Sequence, residues 1–279
     1  LFRSSDPTSI NTIQNGVDLT WSNVNYAVEI TNEDKTKSWK NLVNDVSGTS
    51  RKGRTLAIMG PSGAGKTTLL KSISGRIQVD PQHRLDGTAF LNNTVFAARY
   101  KKLISFVAQD DICMGKDTPR EALYFSYRLR SGATHDESIE AVEAMLKKLS
   151  IVDCADTLLG VPGLIKGVSG GEKKRVNIGS ELINNPLMLM LDEPTTGLDS
   201  VNAFRIGKLL EELAHVDGRT VLCTIHSPSS ELYNVFDDIL LLSKGFTVYH
   251  GPREDAPEYF ASIGHAVPPR TNPSEFFME

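Results

Sequence analysis

The sequence predicts an α/β fold in which helices cover a parallel sheet, with an antiparallel β subdomain ahead of the sheet and an α-helical subdomain inserted into it. Three observations carry this expectation. A glycine-rich loop lies between a short apolar run and a helical segment, strand and helix patterns alternate from residue 187 onward, and a helix-rich island stands between them. The loop is the most specific of the three. Gly60-Pro61-Ser62-Gly63-Ala64-Gly65-Lys66-Thr67 fits G-x-x-x-x-G-K-[ST] at every fixed position.

In chain order, residues 17–21 and 24–30 alternate as strands do, and 32–37 form a charged turn. Residues 54–59 read as a buried strand, the glycine loop follows, and 68–73 are apolar at helical spacing. In that setting backbone N–H groups turn inward around a polyphosphate, and the helix N-terminus adds its positive end. Lys66 would reach the β- and γ-phosphates and the Thr67 hydroxyl would ligate Mg²⁺. Residues 87–91 and 103–107 are further strands. Thr118-Pro119-Arg120-Glu121 is a capping box with proline at the first helical position, opening a helix to about residue 130. A second helix covers about 136–149, and a third 172–184. Strands at 187–191, 220–225 and 239–242 then alternate with helices at 201–213 and 229–236. The island at about 112–168 interrupts this series.

Composition sets the class. With 279 residues, 40% hydrophobic and 23% charged, the chain can bury a large α/β core. A net charge of −4 gives no electrostatic reason to expect a nucleic-acid partner. Cys113, Cys154 and Cys223 stand far apart with no CxxC pair, which argues against a metal site or disulfide framework and fits a reducing compartment. No apolar run approaches the length that spans a bilayer, and no signal peptide is visible. The chain stops just after Phe276-Phe277 and reads as part of something longer.

Chemistry continues beyond the loop. The apolar run 187–191 ends in Asp192-Glu193, delivering two carboxylates to a strand's C-terminal end. Asp192 would hold Mg²⁺ through a water, and Glu193 could polarise the water that attacks the γ-phosphate. Ser169-Gly170-Gly171-Glu172 satisfies a capping box. Its two glycines exceed what a cap needs and would bare N–H groups for an anion. His226 follows the strand 221–225, expected beside the one ending in Asp192. Gln109 ends the strand 103–107. The other histidines, at 83, 135, 215, 250 and 265, read as surface residues.

Together these residues resemble the nucleotide-binding domain of an ATP-binding cassette (ABC) transporter over about residues 17–265. In order they match a Walker A loop (60–67), a Q-loop glutamine (Gln109) and a signature motif (168–172). A Walker B strand with catalytic glutamate (187–193), a D-loop (197–200, with Asp199) and a switch histidine (His226) follow. Too few residues separate Lys66 from Asp192 for the long coiled coil of the DNA-repair relatives. The finer match is to the G subfamily, the group of the White eye-pigment transporter. It rests on residues 195–200, 225–231, 247–252 and Asn272-Pro-Ser-Glu-Phe-Phe277.

The resemblance implies one nucleotide-binding domain over 1–279, with a helical subdomain at about 112–185 and a linker toward a membrane domain at about 266–279. It implies ATP and Mg²⁺ as ligands. Gly60 to Thr67, Thr68, Gln109, Asp192 and Val28 would contact nucleotide in one copy. Ser169, Gly170, Gly171, Glu172 and Asp199 would close on it from a second copy. Thr67, Gln109 and Asp192 would hold the metal, and Glu193 and His226 would be catalytic. The implied partners are a second nucleotide-binding domain, identical or not, and the transmembrane domain of the same full-length chain. The implied location is the cytoplasmic face of a membrane. Two positions depart from the family pattern. Glu172 stands where glutamine is usual, and Val28, with Tyr26 two residues earlier, stands where an aromatic residue stacks on adenine.

Overall fold

Strands buried on both faces have no solvent side to alternate toward, so they read as continuous apolar runs. That is the state of β3 (Thr55–Met59), β7 (Met188–Leu191) and β8 (Thr220–Ile225), in which every residue is buried. The computed structural model describes residues 16–96, 102–111, 113–161 and 163–278. The polar N-terminal stretch to about residue 9 therefore lies outside the described residues.

Two sheets form. The first is antiparallel, ordered β2 (Lys37–Ser50), β1 (Leu19–Thr31), β4 (His83–Leu91), β5 (Thr94–Val95). The second has the order β10 (Phe246–Pro252), β9 (Asp238–Ser243), β3, β8, β7, β6 (Ile104–Val107). All of its pairings are parallel except that of β10 with β9. Side chains alternate across this sheet with the strand period of two. Ala57, Met59, Leu189, Leu191, Val221 and Cys223 join the core beneath the helices. Leu56, Ile58, Met188, Met190 and Leu222 join Trp21, Val43, Leu69 and Leu70 between the two sheets.

The helices are α1 (Lys66–Ile73), α2 (Pro119–Ser131), α3 (His135–Lys148), α4 (Gly170–Leu182), α5 (Ser200–His215), α6 (Ser230–Tyr233), α7 (Ala256–Ser262) and α8 (Pro273–Phe276). The capping box at Thr118 is realised: its hydroxyl accepts from the Glu121 amide, and its own amide donates to Glu121 Oε2 at 2.8 Å. The same device at Thr134 and Glu137 starts α3 one residue ahead of the expected boundary.

Three readings are corrected. The strands expected at 17–21 and 24–30 are one strand, β1, which begins at Leu19 and is bent by register shifts near Asn23, at φ 53°. The helix expected over 229–236 is the single turn α6. His250 is half-buried and engaged rather than a free surface residue: its Nε2 accepts from the Thr49 amide at 3.1 Å, its ring lies 6.0 Å from Trp21, and burial lowers its pKa.

Candidate functional site

The parallel register brings four strand ends to one edge. Met59 pairs with Ile225, Leu191 with Cys223, and Val107 with Leu191. The residues that follow are Gly60, His226, Asp192 with Glu193, and Ala108 with Gln109, so sequence-distant groups meet where the strands stop.

Between β3 and α1 the chain needs glycine for different reasons. At Gly60 (φ 154°) a Cβ would lie 2.3 Å from the Leu242 carbonyl oxygen, and at Gly65 (φ 99°) 2.5 Å from that of Leu42. Gly63 (φ 76°) has open space around it, so only its backbone conformation asks for glycine. Pro61, Ser62 and Gly63 are exposed while Ala64 is buried; Thr68 is half-buried in the first turn of α1. Lys66 is 5% exposed, and its Nζ donates to the Gly60 and Pro61 carbonyls at 2.8 and 3.1 Å. Burial lowers the lysine pKa, against the opposing pull of the Glu193 and Asp192 carboxylates.

A chain of hydrogen bonds links the other strand ends. Thr67 Oγ1 donates to Asp192 Oδ1 at 2.8 Å, and Thr224 Oγ1 donates to the same oxygen at 2.7 Å. The Thr224 hydroxyl also accepts from the Glu193 amide at 2.8 Å. Glu193 sits at φ 45°, a left-handed conformation that costs about 1–3 kcal/mol for a non-glycine residue. Its Oε2 accepts from Gln109 Nε2 at 3.0 Å and Thr196 Oγ1 at 2.9 Å. Gln109 is held in turn, since Lys174 Nζ from α4 donates to its carbonyl at 2.8 Å and pairs with Asp111 at 2.7 Å. Thr224 and Lys174 were not anticipated. A threonine inside an apolar strand is explained by β-propensity alone, and a lysine on a polar helix draws no notice, so neither carried a signal.

His226 is exposed, with Ser227 Oγ 3.4 Å from its Nδ1. Ser169 is exposed as the N-cap of α4. Its amide and hydroxyl donate to Glu172 Oε2 at 2.7 and 2.8 Å, and it accepts from the Glu172 amide. Burial raises the Glu172 pKa, but the bonds from Ser169 and the Arg175 charge outweigh it, leaving the group lowered. Gly170 is exposed with Leu198 at an ordinary 3.6 Å from a built Cβ, whereas at Gly171 that atom would stand 2.7 Å from Asn202. Packing thus explains one of the two glycines. Asp199 caps α5, accepting from the Asn202 amide at 3.0 Å, and bonds to Asn202 lower its pKa.

Val28 is half-buried in β1 opposite Lys40 and His83, against the core between the sheets. Tyr26 is buried, its ring stacked 6.0 Å from His83.

The glycine cradle, the loop amides and the buried lysine suit a polyphosphate. Thr67 and Asp192 offer hard oxygen donors of the kind Mg²⁺ takes. Among the described residues no His, Cys, Asp or Glu cluster of three or more forms an all-protein cage, and Mg²⁺ commonly completes its shell with phosphate oxygens and water.

Comparisons with known proteins identify the family. The family model described as ABC transporter matches residues 43–196, and that described as ABC-2 type transporter matches 226–279. ABC transporter G family member 14 of Arabidopsis thaliana is 40% identical over 94% of this chain and 41% of its own length. G family member 1 of Dictyostelium discoideum is 39% identical over 96% and 34%. The mouse broad substrate specificity ATP-binding cassette transporter ABCG2 is 38% identical over 97% and 41%. The chain thus spans less than half the length of these relatives. A solved dimer of an ATP-binding cassette, in a post-hydrolysis state with ADP and Pi, superposes with TM-score 0.68 at 24% identity. It covers 84% of this chain and 98% of its own and shows the shared fold. The chain belongs to the ABC transporter family, in its G-family branch, as the domain that carries the nucleotide site.

Proposed function

We propose that this domain powers export by a half-transporter, with ATP held between the Walker A loop of one copy and Ser169 to Gly171 of another. The domain is an ATPase. The single observation that carries the site assignment is the hydrogen-bonded chain from Thr67 through Asp192, Thr224 and Glu193 to Gln109, beside Lys66.

In this reading Lys66 and the loop amides bind the phosphates; Thr67, Gln109 and Asp192 would hold Mg²⁺, which when bound would offset phosphate charge. Glu193 takes a proton from the attacking water. Its carboxylate is aimed by the Gln109 amide and the Thr196 hydroxyl, and an ionised carboxylate is an acceptor only. His226, at the end of the neighbouring strand, steadies the γ-phosphate. The proposed partners are a second nucleotide-binding domain and a membrane domain of the full-length protein. The proposed location is the cytoplasmic face of a membrane; among the described residues no helix is long and apolar enough to cross one. Residues 112–185 would face the membrane domain, and 266–279 would lead to it.

Mixing two inactive variants tests the shared site. Lys66→Ala should abolish turnover by spoiling the loop, and Ser169→Arg by blocking the lid while leaving binding of a fluorescent ATP analogue intact. A mixture should regain activity, because one site of a mixed dimer has both parts sound. No rescue under conditions where mixed dimers form would overturn the shared site.

A further inference from the structure

The segment around α8 touches the loop that presents His226. Pro228 lies two residues beyond that histidine, and its carbonyl accepts from Asn272 Nδ2 at 3.0 Å and from Ser274 Oγ at 2.8 Å. Two donors use both lone pairs of that oxygen. Asn272 Oδ1 closes the arrangement by accepting from the Ser274 amide at 3.2 Å; it also lies 2.9 Å from Ser274 Oγ, whose single proton is engaged by Pro228. Ser274 is fully buried. At the other end of α8, Phe277 stacks on Phe260 with ring centroids 4.4 Å apart, fixing the segment to the helical core.

The loop itself is stiff. Ser227 holds φ 42°, a conformation non-glycine residues keep only when their surroundings enforce it. Pro228 has a ring-fixed φ, and Ser229 caps α6 by accepting from the Leu232 amide. A shift at the Pro228 carbonyl is therefore transmitted to the imidazole through two residues with little freedom to absorb it.

We propose that Asn272 and Ser274 are positioning residues for His226, clamping its loop from the stretch that the proposed function assigns as the link toward the membrane domain. Displacement of that stretch would then alter the histidine's placement and the rate of hydrolysis. The inference rests on the assignment of His226 to the ATP site.

Asn272→Asp isolates the clamp. Aspartate keeps the capping acceptor for the Ser274 amide but loses the donor to Pro228 and sets a carboxylate oxygen against that carbonyl. The expected result in the full chain is a fall in kcat of about three- to tenfold, the size of one neutral hydrogen bond, with KM for ATP unchanged and a melting temperature lower by only about 2–4 °C. Ser274→Ala should do the same. In a His226→Ala background neither change should cost anything further, since the histidine they serve is gone. An unchanged kcat, or losses that multiply with that of His226→Ala, would overturn the clamp.

Amide exchange separates this inference from the site assignment beneath it. The Leu232 and Tyr233 amides, which donate to Ser229 Oγ and the Ser229 carbonyl, should exchange faster in Asn272→Asp. If His226→Ala leaves turnover intact, the assignment of His226 fails. Exchange then still decides whether the clamp holds the loop, and unchanged exchange sinks it.

Discussion

Around Lys66 the functional side chains reach one another across the sheet. Thr67 meets Asp192 at a separation of 125 residues, Thr224 meets Asp192 at 32, and Gln109 meets Glu193 at 84. At the starts of α4 and α5 the capping groups are satisfied within their own turn, Ser169 by Glu172 and Asp199 by Asn202, three residues away in each case. The first region is built by tertiary structure and is ordered only when the sheet is. The second is a pair of helix starts whose exposed faces are free to meet another molecule. On the proposed function, preorganisation would belong to the half that does the chemistry, and presentation to the half that closes.

The largest expected effect breaks the chemical half. Glu193→Gln should lower turnover by roughly 10²–10⁴-fold, the usual contribution of a general base. ATP binding should survive and a nucleotide-bound dimer should accumulate, visible by size-exclusion chromatography. Near-normal phosphate release would reduce Glu193 to a carboxylate at a strand end.

Next comes Thr224→Val, which preserves shape and removes the hydroxyl. Asp192 Oδ1 loses one donor and the part-buried Glu193 amide loses its acceptor, at about 1–3 kcal/mol for a group left unsatisfied. Urea denaturation should show that loss, and turnover should drop about tenfold as Glu193 drifts. Thr224→Ser should retain most of the activity.

The closing half is sharpened by its two glycines. Gly171→Ala pushes against Asn202 and should destabilise by about 1 kcal/mol, the low end of overpacking costs, because a short side chain can yield. Gly170→Ala meets only an ordinary contact with Leu198, so its melting temperature should be unchanged. If Gly170 faces nucleotide bound by a second copy, its turnover should fall nonetheless. Equal effects of both changes on stability and turnover would dissolve the distinction.

The smallest effect concerns the base. Val28 offers apolar contact without a π-face, and Tyr26 is committed to the core beside His83. The aromatic contribution of about 0.5–1.5 kcal/mol beyond area burial should be missing, and GTP should compete with ATP within about tenfold. Competition binding measures it, and a hundredfold preference for ATP would assign base reading to another residue.

The sequence revealed what local chemistry dictates. Continuous apolar runs announced β3, β7 and β8, and side-chain caps announced α2 and α4. The strand β2 went unread because only Val43, Val46 and Ser50 of its 14 residues are buried and its pairing with β1 is irregular, so no alternation survives. β10 was missed for the same reason, as Phe246, Thr247 and Val248 are all exposed along the sheet edge. Loop, carboxylates, glutamine and histidine were all nameable from motifs. The ties among them were not, because Thr224 and Lys174 look like ordinary members of a strand and a helix until the register sets them beside Glu193 and Gln109.

Thr224 has an implication for which substitutions this chain can accept. A central strand buried on both faces favours a β-branched side chain, which serine lacks, and the Asp192–Glu193 corner asks for a hydroxyl that both gives and receives, which valine and isoleucine lack. Among the twenty side chains only threonine meets both demands. A library randomised at this one codon and selected for folding alone should return threonine first and still admit valine and isoleucine. Selected for ATP turnover, it should return threonine with serine second, and valine and isoleucine should drop out.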